Sequence, residues 1–309
     1  MRVALLHLDD ALVAQGDFLE ACRCRGAREV DARHLGPQLR LWSRPGPLAE
    51  LRDLLRRELP VESDGLDAVF AGSGDFHHVA PMLVERAIAS AAGPVTLVHF
   101  DNHPDWVRFA NGLHCGSWVN EAAKIPGIVR TITIGVCSDD LRNPRRKGAN
   151  LGLIGSGALE LYAYCGLDGD ATAGIDLGGT QWPTIAQHGD AAFLDFLDSR
   201  ISTTAIYVTI DKDVLRPGDA VTNWDQGRMT LGYLLAAIER IASHRQIIGV
   251  DVVGDYSRPS YGGGIVTRAF KRGEALWDQP RIAPDRDAAR LTNSIANLAI
   301  LDLINNVTQ

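Results

Sequence analysis

The chain has 309 residues, of which 46% are hydrophobic and 22% charged, so it can bury a sizeable core and wholesale disorder is excluded. Its 31 basic and 38 acidic side chains give a net charge of −7, which argues against binding to nucleic acid or to anionic membranes. The apolar stretches are too short to span a membrane, and the N-terminal one lacks the pattern of a secretory signal. The five cysteines form no CxxC pair, and we therefore expect a reduced, cytoplasmic protein.

Short β-branched runs alternate with amphipathic segments along the chain. The runs are nearly continuous in apolar residues, as is typical of strands covered on both faces in a parallel sheet. They lie at residues 3–8, 68–71, 95–100, 129–136, 205–210 and 247–253. Apolar stripes predict helices near 48–59, after a capping Thr230, and near 291–301. This alternation predicts a three-layer α/β/α sandwich with a mostly parallel central sheet, built as a single domain over residues 1–309.

Acids and histidines follow four of these strands. Residues 72–78 have the sequence Gly-Ser-Gly-Asp-Phe-His-His, residues 101–105 Asp-Asn-His-Pro-Asp, and residues 211–213 Asp-Lys-Asp. Asp251 and Asp255 belong to the last of the four strands and the turn after it. Because ligands bind beyond the carboxyl ends of the strands in an open parallel sheet, these side chains are expected to meet at one edge.

The spacing of these groups predicts a metal centre. Alternate residues at an extended strand end point the same way, so the members of the DxHxD and DxD motifs can each converge on one point. Uncompensated, so many acids would repel each other, and divalent cations remove that repulsion. A lone DxD is usually a turn or cap, but the three motifs together favour metal. An oxygen-rich set with imidazoles suits two Mn²⁺ ions, with Zn²⁺, Fe²⁺ or Co²⁺ as alternatives, and two such ions would acidify a bridging water to hydroxide.

Taken together, the three motifs resemble those of the arginase/agmatinase (ureohydrolase) superfamily. The family's Gly-Gly-Asp-His turn is similar to residues 72–78, its Asp-Ala-His-x-Asp motif to residues 101–105, and its Asp-x-Asp motif to residues 211–213. The resemblance extends over about residues 72–257 and is that of a divergent member. It implies an α/β/α sandwich, a two-manganese site and, as an expectation, a homo-oligomer.

The resemblance also implies which residues bind the metals. One ion would be bound by His78, Asp101 and Asp105, and the other by Asp101, His103, Asp211 and Asp213, with some carboxylates bridging. His77 and His78 are adjacent, which leaves the first histidine ambiguous. The 23-residue interval from His78 to Asp101 suits the family's intervening helix and strand, so His78 is the expected ligand and His77 a supporting or substrate-binding group.

Residues 111–116 resemble a loop in which arginases carry a histidine proposed to shuttle protons, and His114 fits that position. An imidazole with a pKa near neutrality could protonate a leaving amine. The alternative is a loop histidine that is bonded to backbone. Together with the metal ligand Asp105, His114 is the predicted catalytic residue.

The chain departs from the family where the substrate binds. Ureohydrolases place a guanidinium-binding glutamate in an Asp-x-x-Glu segment after the last core strand, and Gly254 stands at that position here. Asp255 follows one residue later and is the candidate substitute. Trp224 lies in the segment that replaces the family's Thr-rich loop, where it could stack on a planar or cationic group or cover the core.

These features predict a metal-dependent hydrolase of a non-peptide C–N bond in a guanidino, amidino or related amide substrate. The expected partner is a small molecule, with neither nucleic acid nor membrane. A single-zinc deacetylase is an alternative, because such enzymes use tandem histidines and His77 and His78 are tandem. A metal-binding protein without turnover is another, and the missing glutamate supports it.

Overall fold

The computed structural model describes residues 1–61, 66–281 and 283–308. Its strands, in chain order, are β1 (Arg2–His7), β2 (Arg28–Asp31), β3 (Trp42–Ser43), β4 (Asp67–Phe70), β5 (Val95–Phe100), β6 (Leu113–His114), β7 (Ile128–Val136), β8 (Leu159–Ala163), β9 (Ile175–Leu177), β10 (Thr180–Trp182), β11 (Ala205–Asp211) and β12 (Gln246–Val253). Its helices are α1 (Gly16–Cys24), α2 (Gly36–Leu39), α3 (Pro45–Glu58), α4 (Ala80–Ile88), α5 (Val119–Ala122), α6 (Gly152–Gly155), α7 (Ile185–His188), α8 (Asp190–Arg200), α9 (Leu231–Ala242), α10 (Ile265–Asp278) and α11 (Arg286–Val307).

Eight strands form one parallel sheet in the order β2-β1-β4-β12-β11-β5-β7-β8. Alternate side chains of the strands enter the two apolar cores: Ala4 and Leu6 of β1 face one core, whereas Val3 and Leu5 face the other. Helices α3, α4 and α5 cover the first core, and α1, α8, α9 and α11 cover the second. The predicted three-layer sandwich with a parallel sheet is confirmed.

All six predicted strands lie in this sheet, within one or two residues of the predicted bounds. The sheet strands not predicted are its two edges, β2 and β8. Thr230 caps α9 as predicted, since its hydroxyl accepts a hydrogen bond of 3.1 Å from the backbone N–H of Tyr233. In α11 the predicted stripe divides, because Leu291 and Ile295 are exposed.

The four strands that carry the chemical motifs, β4, β12, β11 and β5, are consecutive neighbours in the middle of the sheet. Their carboxyl ends therefore meet at the same edge, beyond which ligands bind in folds of this kind. None of the helices in the described ranges is both long enough and apolar enough to cross a bilayer.

Candidate metal centre

His77 lies in a 3₁₀ turn (Gly74–Val79) that directly follows β4, and only 1% of its surface is exposed. Its Nδ1 atom faces three carboxylates. The nearest oxygens are Oδ2 of Asp101 at 3.1 Å, Oδ2 of Asp105 at 3.3 Å and Oδ2 of Asp211 at 3.7 Å. Despite these neighbours, Nδ1 makes no hydrogen bond to any described residue.

The other ring nitrogen of His77 fixes the tautomer. Nε2 lies 2.9 Å from the hydroxyl oxygen of Thr209, and that hydroxyl donates its own proton to Oδ1 of Asp251 at 2.8 Å. The hydroxyl must therefore accept the Nε2–H of His77. In the neutral ring, the Nδ1 lone pair is then directed at oxygens that are themselves acceptors, an arrangement that a bound cation would satisfy.

A second cluster shares Asp101 with the first. The Nδ1 atom of His103 lies 2.9 Å from Oδ2 of Asp213 and 3.6 Å from Oδ1 of Asp101. Asp101 thus presents Oδ2 to His77 and Oδ1 to His103. The candidate ligand atoms of His77, His99, Asp101 and Asp105 lie within 4.8 Å of one another, and so do those of Asp101, His103 and Asp213. Asp101 is placed to bridge two cations.

The loop after β5 does not continue the strand alternation that the sequence suggested. The strand ends at Phe100, and Asp105 has a left-handed backbone with φ of 51°, a conformation that aspartate tolerates better than most residues. The indole N–H of Trp118 donates to Oδ2 of Asp105 at 2.5 Å. These two features direct the Asp105 carboxylate toward His77, while His103 turns to the second cluster.

Burial and mutual repulsion raise the pKa values of three of the acids, whereas His99, His103 and His77 hold that of Asp101 well below its usual range. Burial, with the charge of Asp101 added to it, raises the pKa values of Asp105 and Asp211 to about 6, and burial together with Asp211 raises that of Asp213 well above its usual range. Burial alone would lower the pKa of His77, but Asp101 and Asp105 outweigh it and raise that pKa well above its usual value. The centre therefore has a marked preference for positive charge.

The structure differs from the sequence-based assignment at His78. Its ring is buried, both of its nitrogens are without a hydrogen-bond partner among the described residues, and burial lowers its pKa well below the usual value. The 3₁₀ turn rotates consecutive residues to different sides, so His77 faces the carboxylates instead. His99, a strand residue that the sequence analysis did not single out, donates from Nε2 to Oδ2 of Asp101 at 2.8 Å. An imidazole within an otherwise apolar run was its only signal.

Asp255 also differs from its expected role. It is 2% exposed, forms an ion pair with the buried Lys212, and accepts a hydrogen bond of 3.2 Å from Asn297. Its carboxylate therefore belongs to an internal network and does not line the cavity above the metal centre. Gly254, at the position of the family's glutamate, has φ of 94°, and a Cβ there would overlap Oδ1 of Asp211. A side chain at this position would therefore be strained.

A cavity of about 930 Å³ opens above the two clusters and extends to α10. His77, His103 and Trp224 line it. The indole N–H of Trp224 donates to Oδ1 of Asp75 at 2.9 Å, and its ring lies 5.6 Å from that of His103. Trp224 thus forms a wall of the cavity.

His114 lines the same cavity, and both of its ring nitrogens have partners. Nδ1 accepts the backbone N–H of Gly116 at 2.8 Å, and Nε2 is hydrogen-bonded to Oε1 of Glu274. Oε2 of Glu274 accepts the indole N–H of Trp42 at 3.1 Å. Glu274 lies in α10, which the sequence analysis did not predict, and no motif marks it.

Sequence comparison finds a distant relative but no family model that matches. An uncharacterized protein of Thermotoga maritima is 25% identical over 211 residues, which are 68% of this chain and 64% of that protein, so the match spans less than two thirds of the relative's length.

Solved structures match over nearly the whole chain. Arginase from Bacillus caldovelox superimposes with a TM-score of 0.59 at 14% identity, over 97% of each chain. A hypothetical agmatinase from Burkholderia thailandensis gives a TM-score of 0.55 at 18% identity, over 99% of this chain and 86% of that one. The chain therefore has the arginase/agmatinase (ureohydrolase) fold, in a form whose sequence has diverged far from these proteins.

Proposed function

We propose that this protein is a hydrolase that uses two divalent metal ions, Mn²⁺ being the native pair, to cleave a C–N bond in a guanidino, amidino or related amide compound. The observation that carries the proposal is the Nδ1 atom of His77, which faces three buried carboxylates while Nε2 is held by Thr209, so that a metal ion could replace the proton on Nδ1. Four carboxylates and two imidazoles form an oxygen-rich donor set, which suits Mn²⁺. Structural zinc sites, by contrast, are usually rich in cysteine sulfur.

The ligand set follows from the two clusters. His77, in place of His78, would bind one ion with Asp101, Asp105 and Asp211, and His103 would bind the other with Asp101 and Asp213. The family resemblance adds Asp211 to the second set. When bound, such a pair supplies an acidified water and polarises the carbon under attack. Trp118 keeps the Asp105 carboxylate in place, and the Thr209–Asp251 pair does the same for His77.

His114 and Glu274 would handle the proton that hydrolysis requires. Water adds to the carbon, the C–N bond breaks, and the departing nitrogen takes up one proton. Because Nδ1 of His114 accepts the backbone N–H of Gly116, the ring is neutral, and its Nε2–H is held by Glu274 at the cavity wall. The proton for the departing nitrogen would therefore be the one that the attacking water loses, carried by the Glu274 carboxylate that His114 positions. The cavity volume suits a small molecule.

The tandem-histidine deacetylase is less well supported, because only His77 faces the cavity and the two clusters share Asp101. A cytoplasmic location is part of the proposal and is supported by five free thiols. A homo-oligomer is likewise proposed, from the resemblance alone.

The test is a urea- and ammonia-release screen over guanidino and amidino compounds, with manganese-loaded protein beside a metal-free control. Metal analysis of the same samples should give about two equivalents per chain. Fewer than one equivalent after loading would refute the metal centre. Two equivalents without release from any compound would instead favour a metal-binding protein without turnover.

A further inference from the structure

Helix α10 lies across the mouth of the cavity with its polar side inward. Lys271 is buried and donates from Nζ to the backbone carbonyl of Gln38 at 2.8 Å, and Glu274 binds His114 and Trp42. Just beyond the helix, Gln279 donates to Oδ1 of Asp75 at 2.7 Å. None of the described residues of α10 belongs to either apolar core. Its inward groups are therefore held by polar contacts around the cavity.

Glu274 has capacity left for a ligand. A carboxylate offers about four acceptor positions, and His114 and Trp42 occupy one on each oxygen. The side chain is 23% exposed and lines the cavity that holds the metal centre. A donor that enters the cavity can thus bind Glu274 without displacing its present partners.

The surroundings of Glu274 favour a cation. Asp278 and Asp140 line the same cavity, and among the described residues that line it Lys147 is the one lysine. Burial raises the pKa of Asp278, and the charges of Glu274 and Asp140 raise it further against the opposing charges of His114 and Lys147. Trp106, Phe109 and Trp224 supply aromatic walls to the cavity, which suit a planar or cationic group.

Two other buried carboxylates, those of Asp255 and Asp75, already have partners. Asp255 is paired with Lys212, and Asp75 receives the guanidinium of the buried Arg40 at 2.5 Å as well as the indole of Trp224. We infer that Glu274 binds the cationic nitrogen of the substrate, a guanidinium or amidinium group, and places it beside His114. This inference rests on the proposed function and specifies its substrate class.

The test compares equilibrium binding of methylguanidinium with that of the neutral N-methylurea, by calorimetry on metal-free and on manganese-loaded protein. We expect the wild-type protein to prefer the cation by about tenfold or more, as for a charge-assisted hydrogen bond. Glu274→Gln keeps an acceptor for Trp42 and should abolish the preference. Asp278→Asn removes a charge from the same helix and cavity and should leave most of it.

Equal preference in wild type and Glu274→Gln, or none in wild type, would overturn the inference. Glu274→Asp keeps the charge on a shorter arm and should restore part of the preference, a readout that is independent of any fall in stability of the glutamine variant. Metal stoichiometry and product release are measured separately. If the preference for methylguanidinium is present without metal binding, the proposed hydrolase fails while the role of Glu274 stands. If two metals bind but the preference is absent, the role of Glu274 fails while the metal centre stands.

Discussion

The hydroxyl of Thr209 lies 2.9 Å from Nε2 of His77, on the side of the ring away from the carboxylates. Thr209 in turn donates to Asp251 at 2.8 Å, so a buried strand residue determines which nitrogen of His77 carries the proton. Groups that hold a metal-binding histidine in this way fix its tautomer and ring orientation and so contribute to metal affinity. The metal centre should therefore depend on two residues that do not touch the metal.

Thr209→Val removes this support with little change of shape. We expect affinity for Mn²⁺ to fall by about 10- to 100-fold, since His77 can then rotate or change tautomer. Thr131→Val is the matched control, because the hydroxyl of Thr131 is buried on the nearby strand β7 and has no hydrogen-bond partner among the described residues. Calorimetric titration of both variants with manganese checks the prediction, and equal affinities would contradict it.

Substitution should distinguish the roles of the two adjacent histidines. His77→Ala removes the ring that faces Asp101 and Asp105, and we expect it to lose about one equivalent of bound metal. His78→Ala removes a buried ring that lies outside the cavity, and we expect the full stoichiometry with reduced folding stability. Metal analysis after gel filtration distinguishes them, and the opposite pattern would restore His78 as the ligand.

Local signals in the sequence were enough to bring most residues of the candidate metal centre to one edge of the sheet. Continuous apolar runs identified the central strands, and parallel strands bring their carboxyl ends together whatever the helices do. The choice between His77 and His78 depended on whether residues 74–79 form a 3₁₀ turn, because the turn decides which of the two neighbouring side chains faces the carboxylates. Asp255 could not be assigned, because its partner Asn297 is 42 residues away in the sequence.

The sequence analysis did not predict helix α10, for a different reason. Its apolar residues Phe270, Leu276 and Trp277 are exposed, whereas Lys271 and Glu274 point inward. Hydrophobic periodicity identifies the face of a helix that enters a core, and α10 has its polar face inward. Glu274 could therefore be found only from coordinates.

Metal affinity should rise with pH between about 5 and 7. Burial and the charge of Asp101 raise the pKa values of Asp105 and Asp211 to about 6, so below that pH a metal must displace protons from them. Each displaced proton lowers affinity by about tenfold per pH unit. The metal-free protein should behave oppositely: the folded carboxyls bind protons more tightly than the unfolded ones, and stability falls as pH rises from about 4 through 6. Manganese titrations and urea denaturation at several pH values check both signs.

The buried ion pair of Lys212 and Asp255 should matter for folding more than for the substrate. Lys212→Met leaves the Asp255 carboxylate buried beside Asn297 without its cation, which costs about 3–5 kcal/mol in such cases. Lys124→Met is the control, since Lys124 forms an exposed pair with Glu121 and should change stability by about 0–1 kcal/mol. Urea denaturation gives the two free energies of unfolding, and similar values would contradict the assigned role.

Gly254→Ala tests whether the position of the family's glutamate is closed in this chain. Gly254 has φ of 94°, and a Cβ there would overlap Oδ1 of Asp211 and the backbone nitrogen of Lys212. Gly218 has φ of 105° with open space around it, so Gly218→Ala introduces the same kind of backbone strain without the overlap. Both variants should lose about 1–3 kcal/mol of stability from strain. Only Gly254→Ala should also displace Asp211 and weaken manganese binding, and Gly254→Glu should do so without creating a substrate-binding carboxylate. Unchanged manganese affinity in Gly254→Ala would show that this edge of the metal centre is open, and that a carboxylate at position 254 could bind substrate after all.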